Sequence, residues 1–317
     1  MAGTSGAADS SLAGARRRSE RTVKASASTQ HALDLAGNLA RSDSPVFVLG
    51  PEGSGRTHLA HVMHEWSARS SGPTVLFSTL ATAEGLHSRE LFGVEPGADP
   101  LNSGAEGALN EAANGTVIIE RVDLLPAALR DRLGRAIVEG RFNRDGASDS
   151  TPLRARIMAS AAPGAEPVLG AQPVQTIELA ALADRREDIL PLAAHFLAEL
   201  ADEQRIEPVG FTVDARRWLV EEPWTGNVRE LRERIRQAIR LAGQGAVSAE
   251  SLMLSTEGDD VPSFKDAKRA FETRYVEGLL RRCSGNISRA ARLAKKDRKD
   301  FYDVIRRTGV DPTEFRP

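Results

Sequence analysis

The chain has 317 residues, of which 41% are hydrophobic, so its length allows about two domains with a sizeable core. Its formal net charge of −2 excludes a polycationic protein, and any affinity for nucleic acid has to come from a local basic patch. One cysteine excludes an intrachain disulfide, no apolar run reaches the roughly 18 residues that span a membrane, and no apolar signal core begins the chain, so we expect a cytoplasmic protein.

Residues 1–29 are predicted to form a disordered basic tail. Of these residues, 19 are Ala, Gly, Ser or Thr, so the segment buries too little apolar surface to order itself. It carries four arginines, which are Arg16, Arg17, Arg18 and Arg21. A solvated tail is the favoured interpretation, and an arm that grasps phosphate is the alternative.

Residues 30–182 alternate helical patterns with short β-branched runs, which predicts βαβ units and an α/β fold with a parallel sheet. Each run is apolar throughout, as expected where helices cover both faces of a sheet. The predicted strands are Val46–Leu49, Thr74–Phe77, Val117–Ile119 and Arg156–Ala159.

Residues 183–255 lack strand patterns and are predicted to form a small helical domain. Ile189–Leu200 and Val228–Leu241 both carry apolar residues at helical spacing. The polar, acidic segment 256–263 contains a proline and is interpreted as a linker. Residues 264–317 then form a third unit.

A glycine-rich loop follows the first predicted strand. Its sequence, GPEGSGRT, matches the phosphate-loop pattern G-x-x-x-x-G-K-[ST] except that Arg56 replaces the lysine. Gly50, Gly53 and Gly55 allow backbone N–H groups to face phosphate oxygens, and Thr57 offers a hydroxyl to Mg²⁺. Because a planar guanidinium does not replace a compact ammonium, the loop predicts weak binding of ATP or ADP with Mg²⁺. A glycine turn without a ligand is the alternative.

Two other groups of residues were weighed as chemical sites. His58, His61 and His64 are three residues apart, but no carboxylate or cysteine completes a metal set at ligand spacing, so packing or surface positions are favoured. Cys283 is predicted to be a small buried side chain, because nothing near it in the sequence marks a catalytic triad.

Four further motifs occur in order and carry a family resemblance. They are ELFGVEPGA, NGTVIIERVDLLP, LADRREDILPLAAHFL and WTGNVRELRERI, which begin at positions 90, 114, 182 and 224. With the glycine-rich loop they resemble the AAA+ domain of bacterial enhancer-binding proteins, the activators of sigma-54 RNA polymerase. The C-terminal GNISRAARLAKKDRKDFYDVIRRTGV resembles the Fis-type helix-turn-helix of the same family.

The resemblance covers about residues 30–312 and implies the architecture of the chain. A P-loop-type parallel sheet at 30–182 is expected to be followed by a helical lid at 183–255 and an all-α helix-turn-helix domain at 264–317. In such a family the lid arginine contacts a phosphate, and Arg229 matches that position. The alternative for Arg229 is a surface position at the start of a helix.

The departures from the family pattern fall on catalytic positions. The family ends its second phosphate motif in adjacent Asp and Glu, one for Mg²⁺ and one for polarising the attacking water, whereas this chain has Glu120 and Arg121. Glu120 can still reach a metal through water, but Arg121 cannot act as a base because its guanidinium stays protonated. The sensor asparagine of the family corresponds to Ala161 or Ala162, and neither side chain can contact a γ-phosphate.

Two functional loops of the family are altered as well. No arginine lies between Ile157 and Asp184, where the family places its arginine fingers, which contribute about 10³–10⁵ in rate. The GAFTGA loop that contacts sigma-54 corresponds to GADPLN at 97–102, which lacks the aromatic residue and the threonine. We therefore expect ATP hydrolysis to be absent or vestigial.

The C-terminal unit is predicted to hold three helices. The first has apolar residues at spacings of three and four, at Phe264, Ala267, Phe271, Tyr275 and Leu279. The resemblance implies that this helix builds a two-fold dimer. Asn286 or Ser288 is predicted to cap the second helix and Asp297 the third, Arg298–Arg307. Lys295 stands where the family turn has glycine, which predicts a strained or reshaped turn.

Residues 281–307 carry the charge expected of a DNA-binding surface. Ten Lys or Arg and three Asp give them a net charge of +7 in a chain of net −2. The third helix is expected to enter the major groove. The predicted DNA-binding residues are Arg289, Arg292, Lys295, Lys296, Arg298, Lys299, Tyr302 and Arg306. Asp300 and Asp303 either accept from cytosine or pair with Lys296, Lys299 or Arg307, and a merely solvated basic surface is the alternative for the whole patch.

These patterns favour a transcriptional regulator that binds double-stranded DNA on a degenerate AAA+ scaffold and is not an enzyme. A homodimer or larger homo-oligomer is expected, with RNA polymerase or active relatives as candidate partners and no membrane. A slow ATP-hydrolysing sigma-54-dependent activator is one alternative. A protein-interaction scaffold that uses the altered AAA+ domain is the other.

Overall fold

The computed structural model describes seven segments of the chain, which are 23–97, 104–166, 168–169, 172–205, 210–243, 245–255 and 264–315. The chain divides into two units, residues 1–252 and residues 253–317, and each is described by itself. The predicted linker at 256–263 lies outside the described residues, as do most of the predicted tail and Ala98–Asn102 of the predicted sigma-54 loop.

A five-stranded parallel sheet forms the centre of the first unit, in the order β2-β3-β6-β1-β9. Its strands are β1 Val46–Leu49, β2 Thr74–Ser78, β3 Thr116–Glu120, β6 Arg156–Ala161 and β9 Gln175–Glu178. Every residue of β1 and β6 is buried, because both faces of the sheet are covered. The predicted α/β class and all four predicted strands are confirmed.

Strand β9 was not predicted from the sequence. Its four residues are QTIE, and only Ile177 among them is buried. β9 pairs in parallel with β1 at the edge of the sheet, where Ile177 lies opposite Val48. An edge strand with one buried residue lacks the continuous apolar run that marks a central strand.

Helices surround the sheet and build the lid. The first set is α1 Ala27–Ala40, α2 Arg56–Trp66, α3 His87–Phe92, α4 Ala108–Glu111 and α5 Ala127–Glu139. The predicted small helical domain contains α6 Ile189–Gln204, α7 Val213–Glu221, α8 Asn227–Ala242 and α9 Ala249–Met253. Two short antiparallel hairpins complete the unit, β4 Arg141–Asn143 with β5 Ser150–Pro152, and β7 Val168–Leu169 with β8 Gln172–Pro173. None of the helices within the described residues is both long and apolar enough to cross a membrane.

Helix α1 begins earlier than the composition suggests. Ser26 caps it and Thr29 is buried in its first turn, so the predicted disordered tail, 1–29, extends too far. The buried carboxylate of Asp188 accepts hydrogen bonds from the Ser26 N–H at 2.7 Å, the Ser26 hydroxyl at 2.8 Å and the Thr29 hydroxyl at 2.5 Å. A distant carboxylate therefore orders these small polar residues, and a count of apolar residues cannot reveal it.

The buried histidine of α2, His64, has the packing position that the sequence favours. His64 is buried, and its Nδ1 lies 2.9 Å from the Thr116 hydroxyl on β3. Burial, followed by the charge of His61, lowers the pKa of His64, so its neutral form is favoured. This side chain is part of the packing between helix and sheet.

The second unit contains the three predicted helices, α10 Phe264–Arg282, α11 Ile287–Leu293 and α12 Arg298–Thr308. Asn286 caps α11 by accepting from the Arg289 N–H at 3.1 Å, and Asp297 caps α12 by accepting from the Lys299 N–H at 3.0 Å. The buried core of the unit is Val276, Leu280, Cys283, Ala290, Ala291, Phe301 and Ile305. The predicted burial of Cys283 is confirmed, and Asn286 rather than Ser288 is the cap.

Candidate nucleotide site and basic surface

The glycine-rich loop joins the end of β1 to the start of α2. Gly53 and Gly55 have φ values of +72° and +105°, a backbone region that disfavours residues with a Cβ. A Cβ on Gly53 would lie only 2.2 Å from the carbonyl oxygen of Gly226, which leads into α8. Glycine is therefore required at position 53 both by the backbone conformation and by the close approach of the lid.

A cavity of about 500 Å³ opens beside this loop. Six of the seven predicted cofactor-binding residues line it, namely Gly53, Gly55, Arg56, Thr57, Glu120 and Arg229, whereas Gly50 lies outside the lining. Apolar side chains from α1, α2 and α6 form much of the remaining wall, including Leu33, Val62, Leu192 and Phe196. One region of the cavity is thus polar and glycine-rich and another is apolar.

Arg56 uses its guanidinium on the protein backbone. Its Nη1 donates to the carbonyl oxygens of Gly50 at 2.8 Å and Ala161 at 2.6 Å, and the residue is only 7% exposed. Burial, followed by the charge of Arg121, lowers the pKa of Arg56. The ordinary pKa of a guanidinium is so high that Arg56 nevertheless stays charged. Arg56 therefore connects the C-terminal ends of β1 and β6.

The two residues at the end of β3 are also held by neighbouring side chains. Glu120 accepts from the Thr57 hydroxyl at 3.0 Å and from the Ser78 hydroxyl at 2.8 Å. Arg121, in a left-handed conformation with φ +56°, forms an ion pair with Asp123 at 2.8 Å. The hydrogen bonds of Asp123 raise the pKa of Arg121, so this side chain cannot accept a proton.

The lid contacts the loop through the start of α8. The Asn227 amide donates to the Glu52 carbonyl at 2.8 Å, and the Arg229 N–H donates to the Gly53 carbonyl at 3.2 Å. The Arg229 guanidinium pairs with the Glu52 carboxylate at 2.7 Å, although both side chains are exposed. Arg229 therefore lies at the cavity with an acidic partner, and the contribution of Asn227 was not predicted from the sequence.

Arg185 is a second residue that the sequence analysis missed. Its Nη2 donates to the Ser54 carbonyl at 2.7 Å and its Nη1 to the Thr29 hydroxyl at 3.2 Å. Burial lowers the pKa of Arg185, and the charge of Asp188 opposes this effect. The charged sequence RRED at 185–188, just before α6, could have drawn attention to Arg185. Nothing in the neighbouring sequence indicates that this arginine lies against the phosphate loop.

Several donors around the cavity lack a partner, and they test whether the site fits a phosphate-bearing ligand. Ser54 Oγ and Arg185 Nε are buried and have no hydrogen-bond partner among the described residues. Within the same part of the chain, the N–H groups of Gly53 and Gly55 also make no hydrogen bond. The two glycine N–H groups are half-buried in the cavity wall and fit an anionic ligand at the start of α2, whereas Ser54 Oγ and Arg185 Nε have almost no accessible surface.

The eight predicted DNA-binding residues all lie on the surface of the second unit. Lys295 has φ +49°, so the turn has a left-handed conformation at a residue that is not glycine. This is the strained form of the turn that the sequence predicts. Arg307 pairs with Glu272 at 2.6 Å, and neither Asp300 nor Asp303 forms an ion pair with any side chain that the structure describes. The suggested pairing of these aspartates with neighbouring basic residues is therefore wrong.

A parallel sheet, a glycine loop after its β1 strand and a helical lid over that loop define a P-loop protein of the AAA+ class. The family described as "Sigma-54 interaction domain" matches residues 22–170, and the one described as "AAA+ ATPase lid domain" matches residues 183–267. The chain therefore belongs to the family of sigma-54-dependent transcriptional regulators.

Individual relatives agree with this assignment. The transcriptional regulatory protein GlrR of Escherichia coli K12 is 31% identical over 297 residues, which cover 90% of this chain and 67% of GlrR. The sigma54-dependent transcriptional activator SfnR of Pseudomonas putida is 34% identical over 278 residues, covering 84% of this chain and 73% of SfnR. The chain thus spans about two thirds of the length of such relatives.

Solved structures give the same fold. NtrX from Brucella abortus in complex with ADP is 25% identical, with a TM-score of 0.66 over 93% of this chain and 72% of that protein. NtrX in complex with ATP is 26% identical, with a TM-score of 0.64 and the same coverage. Nucleotide complexes therefore exist for a structural relative of this chain.

Proposed function

We propose that this chain is a sequence-specific DNA-binding transcriptional regulator whose AAA+ domain does not hydrolyse ATP. Membership of the sigma-54 regulator family supports the regulatory role. The observation that carries the proposed loss of hydrolysis is the Arg121–Asp123 ion pair, which stands where the family resemblance places the group that polarises water.

Several rate contributions are removed together. A positioned general base contributes about 10²–10⁴ in rate, and Arg121 cannot supply one. Arginine fingers contribute about 10³–10⁵ in phosphoryl transfer, and the segment in which the family carries them has no arginine. The residue on β6 nearest to the sensor position, Ala161, offers its carbonyl to Arg56 and has no polar side chain. Loss of all three contributions leaves turnover near the uncatalysed rate.

DNA binding is proposed for the second unit. The net charge of +7 over 281–307, the exposure of all eight predicted contact residues and the capped α12 helix support a groove-binding surface. The Fis-type helix-turn-helix assignment and dimerisation through α10 belong to the same proposal. A bound nucleotide would then act as a structural ligand of the first unit.

Two measurements test the proposal. The first compares ATP turnover of the purified chain with that of its Arg56→Ala variant, in the presence and absence of duplex DNA. Equal turnover is expected, and turnover well above that of the variant would favour a slow ATP-hydrolysing activator. The second measurement maps chromosomal binding sites of the chain and compares them with sigma-54 promoters. Sites away from such promoters support the non-hydrolysing role, and the absence of any DNA binding would contradict it.

A further inference from the structure

The groups that would meet a terminal phosphate and its cation are already hydrogen-bonded within the protein. Arg56 is bound to two backbone carbonyls, and Thr57 donates to Glu120. The nearby carboxylate of Asp123 is taken by Arg121. A divalent cation would have to compete with these hydrogen bonds for the oxygens of Thr57 and Glu120. The end of the site formed by β1, β3 and β6 is therefore occupied by internal contacts.

The other end of the site has unsatisfied donors. The N–H groups of Gly53 and Gly55 make no hydrogen bond within the described residues, and both glycines are half-buried in the cavity wall. They lie at the N-terminus of the 11-residue helix α2, where an anion is favoured. Ser54 Oγ and Arg185 Nε also lack a partner in that part of the chain, but these two atoms have almost no accessible surface and do not face the cavity.

The lid adds little free positive charge to this end. Arg229 pairs with Glu52 at 2.7 Å, and Arg232 lies 3.3 Å from Glu199 and 3.7 Å from Glu203. Each of these cavity arginines thus has an acidic neighbour within 4 Å. A ligand with fewer phosphate charges needs fewer countercharges, and this favours the shorter phosphate chain.

We propose that the cavity binds a nucleoside diphosphate without a divalent cation, in preference to a nucleoside triphosphate with Mg²⁺. The apolar wall formed by residues such as Leu33 and Phe196 accommodates the base and sugar, and the unpaired donors of the loop bind the two phosphates. This inference rests on the proposed loss of hydrolysis, because Arg56 and Arg121 are central to both.

Calorimetric titration of the full chain tests the inference, with ADP, ATP and a non-hydrolysable ATP analogue, each measured with Mg²⁺ and with EDTA. ADP affinity is expected to change less than about twofold between the two conditions. ATP with Mg²⁺ is expected to bind about tenfold more weakly than ADP, a ratio that corresponds to about 1.4 kcal/mol.

Two variants connect the preference to named residues. Arg56→Lys is expected to strengthen binding of ATP with Mg²⁺ until it is within about threefold of ADP, since a lysine leaves the carbonyl contacts more readily. Arg135→Lys, at an exposed position on α5, makes the same chemical change away from the cavity and is expected to alter neither affinity. Gly55→Ala, at a half-buried position with φ +105°, strains the donating loop and is expected to weaken ADP binding about tenfold, and it keeps the test informative if Arg56→Lys fails to fold.

The inference is overturned if ATP with Mg²⁺ binds more tightly than ADP, or if neither nucleotide binds at millimolar concentration. Both results leave the proposed DNA-binding role intact. ATP turnover in the same samples would instead contradict the proposed function. The two ideas can therefore fail separately.

Discussion

In the first unit the arginines that contact the phosphate loop are bonded to other groups of the protein, whereas the predicted DNA-binding side chains of the second unit lie on the surface. Arg56 and Arg185 donate to backbone carbonyls, and Arg121 pairs with a carboxylate. By contrast, Arg298 and Lys299 are exposed and form no ion pair with any residue that the structure describes. Cationic groups thus hold the first unit together and remain available to an external anion in the second.

The two units differ in what their charged side chains are free to bind. The first unit has the glycine loop, the parallel sheet and the lid contacts, and its Arg56 and Arg121 bond within the protein. The second unit has capped helices and exposed basic side chains. The fold by itself therefore does not decide what either unit binds or catalyses.

The largest expected effect concerns the inward-facing network. Asp188→Ala removes a buried carboxylate that accepts from Ser26 and Thr29, and it leaves Arg185 without its acidic neighbour. Unfolding free energy is expected to fall by about 3–5 kcal/mol. Urea unfolding followed by tryptophan fluorescence measures this, since all three tryptophans lie in residues 1–252. Asp184→Ala, at an exposed neighbouring position, is the matched control, and an equal loss there would contradict a specific network.

A second test removes free charge from the other unit. Arg298→Ala combined with Lys299→Ala is expected to weaken binding to duplex DNA about 10–100-fold and to reduce the salt slope by about 2. Fluorescence anisotropy over a series of salt concentrations measures both quantities. The exposed pair Arg135→Ala and Arg141→Ala removes the same charge from the first unit. If both double variants weaken binding equally, the charged surface of α12 is not the DNA-binding site.

A third test uses the ion pair at the end of β3. Burial raises the pKa of Asp123, but the hydrogen bonds and charge of Arg121 outweigh it and the net pKa lies below its ordinary value. Arg121→Gln is expected to lower the unfolding free energy by about 1–2 kcal/mol at pH 7. The difference in unfolding free energy between Arg121→Gln and the parent chain should be fully present above about pH 4. It should disappear as the pH falls through the lowered pKa of Asp123.

This variant also bears on catalysis, because glutamine cannot act as a base. ATP turnover of Arg121→Gln is expected to remain at the level of the parent chain. The stability difference is measured by urea unfolding at several pH values. A difference that grows towards acid pH would show that the pair does not stabilise the folded state.

The smallest expected effect concerns the turn before α12. Lys295 adopts φ +49°, a conformation that costs roughly 1–2 kcal/mol for a residue with a Cβ. Lys295→Gly is therefore expected to stabilise the second unit by about 0.5–1 kcal/mol. Hydrogen exchange of amides in 276–305 measures this effect, with Lys296→Gly as the control that should not stabilise. The loss of one charge should also lower the salt slope of DNA binding by about 1.

Local patterns predicted much of the fold, and long-range contacts account for what they missed. Apolar runs identified the four central strands, and short polar side chains identified the caps at Asn286 and Asp297, because each signal lies within a few residues of its effect. The edge strand at Gln175–Glu178 and the Asp188 network depend on partners that are more than 100 residues away in sequence. Such contacts leave no local pattern.

The candidate site shows the same division. The sequence shows Arg56 where the phosphate-loop pattern has lysine, and the family resemblance implies that Arg121 stands at the position of the base and Arg229 at that of the lid arginine. The carbonyl partners of Arg56 are not evident in the sequence, because one of them, Ala161, is 105 residues away and contributes only backbone. The residue types at these positions are therefore readable from the sequence, whereas the bonds that their side chains make depend on distant parts of the chain.

Val23 forms part of the cavity wall, and Asp188 holds the N–H groups of Ala25 and Ser26. The segment 23–26 thus contributes to the wall of the cavity and also supplies partners to the buried Asp188 carboxylate. A protein shortened to begin after Ser26 would lose both, so nucleotide affinities measured on such a protein should be compared with those of the full chain.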